Sequence, residues 1–81
     1  MFEKVTVKYN GQYHEFVLQD LDLATPQNPN DSDLKAAIAL NIPGSSFVDY
    51  VVSPPESERL AGQHNNITTL NIHPVASYAS L

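Results

Sequence analysis

The chain has 81 residues, no cysteine and a formal net charge of −5, with four basic residues (Lys4, Lys8, Lys35 and Arg59) against nine acidic ones. That length bounds it to one domain with a modest core, and the missing thiols exclude a disulfide framework, a thiolate zinc site and a thiol nucleophile. So few cations, dispersed along the chain, exclude the clustered basic footprint that displaces counterions from phosphates, and nucleic acid is not expected as a direct partner.

The first element predicted is a hairpin from Phe2 to Leu18, folded at Asn10-Gly11. Asn-Gly between two alternating runs favours a type I′ turn, whose two central residues need φ > 0. A two-residue turn sets Tyr9 opposite Gln12, Val7 opposite His14 and Val5 opposite Phe16. Alternation then puts Val5, Val7, Phe16 and Leu18 on one face with Tyr9 and His14, and Lys4, Thr6, Lys8, Tyr13 and Glu15 on the other. Met1-Phe2-Glu3-Lys4 runs straight into the strand pattern without a basic, then apolar, leader, so no signal peptide is expected. No apolar run approaches the ~20 residues that span a bilayer. The expectation is a soluble, cytoplasmic protein with no membrane partner.

Gln19 to Asn30 reads as a polar connection, with Pro26 and Pro29 holding their neighbours extended. Asn30, Asp31 and Ser32 are N-cap candidates for a helix over Ser32 to Asn41, and Asp33 favours its positive end. Leu34, Ala37, Ile38 and Ile42 form its apolar stripe, and Pro43-Gly44 ends it. Phe47 to Ser53 is predicted as a third strand, with Val48, Tyr50 and Val52 on one side and Phe47 and Val51 on the other. Apolar or aromatic residues on both sides suit a central or partly covered strand. Pro54-Pro55 ends it, and Glu56 to Ala61 can form one helical turn with Leu60 plugging the core's edge. The last strand is predicted over Ile67 to Val75, with Leu70 and Ile72 inward and Thr69, Asn71 and His73 outward. Pro74 has no N–H, so the end of that strand must lie at an edge or leave the sheet.

The predicted order is β-β-α-β-β, with room for a further very short strand in Glu56 to Asn66: an α+β fold with one helix on a mixed sheet. It resembles the ubiquitin-like β-grasp superfamily in three places. These are the opening hairpin strand Met1-Phe2-Glu3-Lys4-Val5-Thr6-Val7, the helix with Leu34, Ala37 and Ile38 on its inner face, and the closing strand Thr69-Leu70-Asn71-Ile72. The resemblance covers residues 1–76 and leaves 77–81 as a flexible tail. It departs from the pattern in a shorter, proline-richer segment before the last strand. The tail Ala76-Ser77-Tyr78-Ala79-Ser80-Leu81 also lacks the terminal Gly-Gly that modifiers and sulfur carriers present to an adenylating enzyme. A conjugating form would need a processed C-terminus, and no glycine lies nearer than Gly62.

Candidate chemistry is sparse. His14, His64 and His73 are not spaced as a local chelate, so no metal is expected, and His14 reads as a partly buried, hydrogen-bonded histidine. Asp20, Asp22, Asp31 and Asp33 lack the ligand spacing, turn glycine and closing glutamate of a calcium loop, and Asp31 and Asp33 suit helix capping. Serines 45, 46, 53, 57, 77 and 80 lie in no nucleophile elbow, and Gly11, Gly44 and Gly62 are isolated turn glycines that make no phosphate cradle. Neither an enzyme nor a cofactor is expected. Tyr78-Ala79-Ser80-Leu81 formally fits a tyrosine-based sorting pattern, but four-residue matches arise often by chance, and the reading is a frayed terminus. What remains is surface: Thr6, Lys8 and Tyr13 on the hairpin's outer face, with Tyr50 or Phe47 from the third strand, as a patch for a protein partner. The expected function is a non-catalytic protein-interaction module. The alternatives are a modifier or sulfur carrier activated at a processed end, and an accessory subunit of an oligomeric enzyme.

Overall fold

Asn10 and Gly11 take φ values of 54° and 77° in the computed structural model, which describes residues 1–75. Both positive angles are those a type I′ turn demands, and they join β1 (Lys4–Tyr9) to β2 (Gln12–Val17). The register is as predicted, with Tyr9 against Gln12, Val7 against His14 and Val5 against Phe16.

The connection after β2 is less polar than its composition suggests. A 3₁₀ turn over Leu18–Asp20 delivers Leu18 and then Leu21 into the core, with Leu23 packed against it and Pro29 buried. The chain then enters α1 (Asp31–Asn41), one residue earlier than predicted, because Asn30 is the cap. Its Oδ1 accepts the Asp33 N–H at 2.8 Å while its amide donates to the Asp33 carboxylate at 3.1 Å, so one side chain satisfies an orphan donor and fixes the acid beside it. Leu34, Ala37 and Ile38 are buried, and Ile42 packs at the edge of the cluster they form.

The third strand needs correction. β3 spans only Tyr50–Ser53, and it is the partly covered strand of the two alternatives, lying at an edge of the sheet and not at its centre. Phe47 precedes it in a turn closed by the Tyr50 N–H donating to the Phe47 carbonyl at 3.2 Å. That turn breaks the two-residue alternation: Phe47 comes to the same side as Tyr50 and Val52, while Val48 is 82% exposed. After a cis Ser53–Pro54 bond, α2 (Glu56–Leu60) forms where a helical turn was predicted. Its core contribution is not the expected one. Leu60 is 63% exposed and Arg59 is 2% exposed.

β4 (Thr69–Pro74) runs parallel to β1 and antiparallel to β3, giving the order β2-β1-β4-β3. The last strand in sequence is therefore interior. β1 pairs with it only as far as Val7 against Ile72, so Pro74 has a partner on the β3 side alone, and its missing N–H leaves no ladder bond unmade. Among the described residues no strand forms between Glu56 and Asn66. Val5, Val7, Leu70, Ile72 and Val52 on one sheet face, with Leu34, Ala37 and Ile38 from α1, make a single core that Phe2 and Phe47 complete. No helix among the described residues is long and apolar enough to cross a membrane. The predicted tail 77–81, with its Tyr78 to Leu81 pattern, lies outside the described residues.

Candidate interaction surface

The face of the sheet away from the core forms a lattice set by the three registers. Across the strands runs a row of Glu15, Thr6, Asn71 and Ser53, each paired with the next. The neighbouring row holds Lys8 against Tyr13 and His73 against Val51, and one step beyond Val7–Ile72 the parallel register sets Lys8 beside His73. Between these rows lies an open recess of about 380 Å³, lined by Thr6, Lys8, Tyr13, Ser53, Asn71, Ile72 and His73. Ser53 Oγ and His73 Nε2 stand 3.4 Å apart along its floor.

Three of the four residues predicted for an interaction patch, Thr6, Lys8 and Tyr13, are thus brought together. Tyr13 is 71% exposed. Lys8 is half-buried and makes no ion pair among the described residues, whereas Lys4 reaches Glu15 at 3.8 Å between two exposed side chains. Among the described residues, no carboxylate lines the recess.

The fourth residue, Tyr50, lies on the opposite face. Its ring meets Phe47 edge-on at 4.9 Å between centroids and Tyr9 at 6.1 Å, and Tyr9 meets Phe47 at 5.4 Å. These three rings extend the core at one end of the sheet, at distances that favour tilted and T-shaped contacts. Burial, and secondarily the neighbouring Tyr9 phenol, raises the Tyr50 pKa above its ordinary value. Phe47 is buried and is likewise lost to the outer face.

A second polar constellation surrounds Arg59. Its Nε donates to the Pro54 carbonyl at 2.8 Å, and one terminal nitrogen donates to the Pro29 carbonyl at 2.6 Å and to Asn28 Oδ1 at 3.1 Å. The other terminal nitrogen pairs with the Asp31 carboxylate. Asn28 returns a bond to the Arg59 carbonyl at 3.1 Å, and the Asp31 N–H donates to Glu56 at 2.6 Å. Burial raises the Asp31 pKa, with the negative charge of Glu56 adding to the rise, while Arg59 pulls it down without reversing it. Every acceptor is a part of the fold, so this is a junction between the α1 start and the α2 turn and leaves nothing for a ligand.

The histidines are dispersed. His14 is half-buried on β2, and its ring makes none of the hydrogen bonds found among the described residues, contrary to expectation. His64, at φ 62°, meets the Glu58 carboxylate at 2.6 Å beside α2. No group of three or more histidine or acidic side chains among the described residues is placed to hold a metal ion.

Ser53, Asn71 and His73 were missed as members of the surface. Their outward positions were legible for Asn71 and His73, but not that β4 runs beside β1 and carries them next to Thr6 and Lys8. Compared with known protein families, curated proteins and solved structures, the chain finds no match in any of the three.

Proposed function

We propose that the protein is a small, non-catalytic cytoplasmic module with a ubiquitin-like β-grasp fold, which acts by binding another protein through the outer face of its sheet. The fold part of this reading is supported by the sheet order, the parallel β1–β4 pair and the helix that follows the hairpin and packs on one face. The functional part is carried by one observation. The outer face gathers an exposed aromatic, a cation with no ion pair among the described residues and several uncharged donors around one recess, while the other face is spent on the core. Aromatic anchors beside adaptable polar groups are the composition that interface centres favour.

The test begins with a partner recovered by a photoreactive group placed at Tyr13. Truncating an anchoring aromatic typically costs ~2 kcal/mol or more, so Tyr13→Ala should weaken Kd by about 30-fold or more without changing the melting temperature. Leu40→Ala, at an exposed position of α1, should leave Kd unchanged. The opposite pattern, with Leu40→Ala weakening the complex and Tyr13→Ala silent, would move the binding surface to the helix and refute this reading.

A further inference from the structure

The recess differs in charge from the molecule that carries it. The whole chain has nine acidic residues to four basic ones. The strands of the outer face instead present Lys4 and Lys8 against Glu15 alone, and among the described residues the recess itself holds Lys8 and no carboxylate. Lys8 is half-buried between Tyr13 on one side and the β4 row on the other, without an ion-pair partner among the described residues. A cation with reduced hydration and no counter-charge favours an anion brought from outside. The remaining lining groups suit the same guest. The Thr6 and Ser53 hydroxyls, the Asn71 amide and the Tyr13 phenol can all donate, and donors to an ionised oxygen make hydrogen bonds about twice as strong as neutral pairs. Neighbouring strands stand about 4.8 Å apart, so one carboxylate can draw on donors from two of them.

Resting on the reading of this face as the binding surface, we propose that its partner is an acidic peptide segment, one glutamate or aspartate of which sits over Lys8 with its carboxylate oxygens shared between Thr6 and Asn71 on the two neighbouring strands. Tyr13 then covers the aliphatic part of the segment. Polyanions and membranes fit less well. Two lysines are far below the basic cluster that phosphate backbones or anionic lipid surfaces require, and a chain of net charge −5 is repelled by both. An isolated carboxylate on a short segment needs only one well-placed cation.

The test uses the full chain, isotopically labelled, titrated with a blocked peptide of alternating glutamate and threonine and with its glutamine counterpart. The glutamate peptide is expected to shift the amide resonances of Lys8, Tyr13, Ser53 and Asn71, saturably and less strongly as salt is raised. The glutamine peptide should leave them in place. Lys8→Gln should abolish the shifts and Lys8→Arg should retain them, with both variants first shown to melt as the parent does. Equal shifts from both peptides, shifts scattered over the molecule, or none at the highest soluble concentration would each overturn the acidic partner. Failure here is separable from failure of the surface itself. If Tyr13→Ala still releases the cross-linked partner while Lys8→Gln does not, the face stands and its acidic guest falls; if neither variant releases it, both readings fall together.

Discussion

The hairpin turn and the Arg59 junction both direct the chain, by opposite means. At Asn10-Gly11 the instruction is local: two residues that tolerate positive φ reverse the strand, and the register of twelve residues follows from it. At the junction the instruction is held in one side chain, whose guanidinium gathers Asn28, Pro29 and Asp31 from one stretch and Pro54 from another. A local turn can be weakened by degrees. A buried cation that satisfies several acceptors fails as a unit, because each acceptor it leaves is stranded away from water.

Four measurements would break or sharpen that contrast. The largest effect is expected at Arg59. Removing one partner of a buried ion pair costs about 3–5 kcal/mol, so Arg59→Ala should lose that much in urea denaturation, and in so small a domain the folded state itself is at risk. Arg59→Lys should recover little of it, since an ammonium cannot present the planar fork that meets Pro54, Pro29 and Asp31 together. A loss under ~0.5 kcal/mol for Arg59→Ala, the ordinary range for a surface substitution, would reduce the junction to decoration.

At the turn, Gly11→Val forces a β-branched residue to a φ of 77°. The expected cost is on the order of 1–3 kcal/mol, the usual price of such strain, and an unchanged melting temperature would show that the turn can adopt another shape. Nothing lies within 4 Å of where a Cβ at Gly11 would be, so the loss would come from backbone strain and not from a clash.

Tyr50 supplies a pH-dependent test at the end of the core nearest the turn. Its pKa is raised in the folded state, so the stability linked to it is intact below the ordinary tyrosine range near pH 10 and is lost as the pH rises through the higher folded value. Alkaline unfolding curves should therefore be less steep with pH in Tyr50→Phe. Identical curves for the two chains would mean that Tyr50 ionises as readily folded as unfolded.

The smallest effect is expected one residue from the largest. Leu60→Ser should change stability by no more than about 0.5 kcal/mol, because exposed positions away from caps and networks rarely do more. A large loss there would restore Leu60 to the core and displace Arg59 from it.

That neighbouring pair shows where sequence reading runs out. Hydrophobicity alone turns Leu60 inward. The opposite outcome arises because the proline-rich stretches around Pro29 and Pro54 present carbonyls to which no ladder N–H donates, and a long donor side chain reaches them. Such a need is invisible until the two stretches are seen side by side. By contrast, the hairpin, its register, the helix stripe of Leu34, Ala37 and Ile38 and the inward pair Leu70 and Ile72 were all legible, since each follows from local turn chemistry or a simple period. Tyr50 failed differently. Assigning it to an outer patch required a strand phase that carried no independent anchor, and the turn at Phe47 absorbed the alternation there. Thr6, Lys8 and Tyr13 were placed correctly because the hairpin fixed their phase.

The interior position of β4 has a consequence for synthesis. β1 and β3 do not touch as partners, and both wait for a strand that ends at Pro74. While a ribosome is still adding the residues before Thr69, the nascent chain can form its hairpin and start α1, but Val5 and Val7 have no neighbour on their second side. Such contacts between distant parts of a chain carry a high closing entropy and slow the search for the native state. Until the final strand clears the exit tunnel, the edge of β1 stays open to pairing with other extended chains.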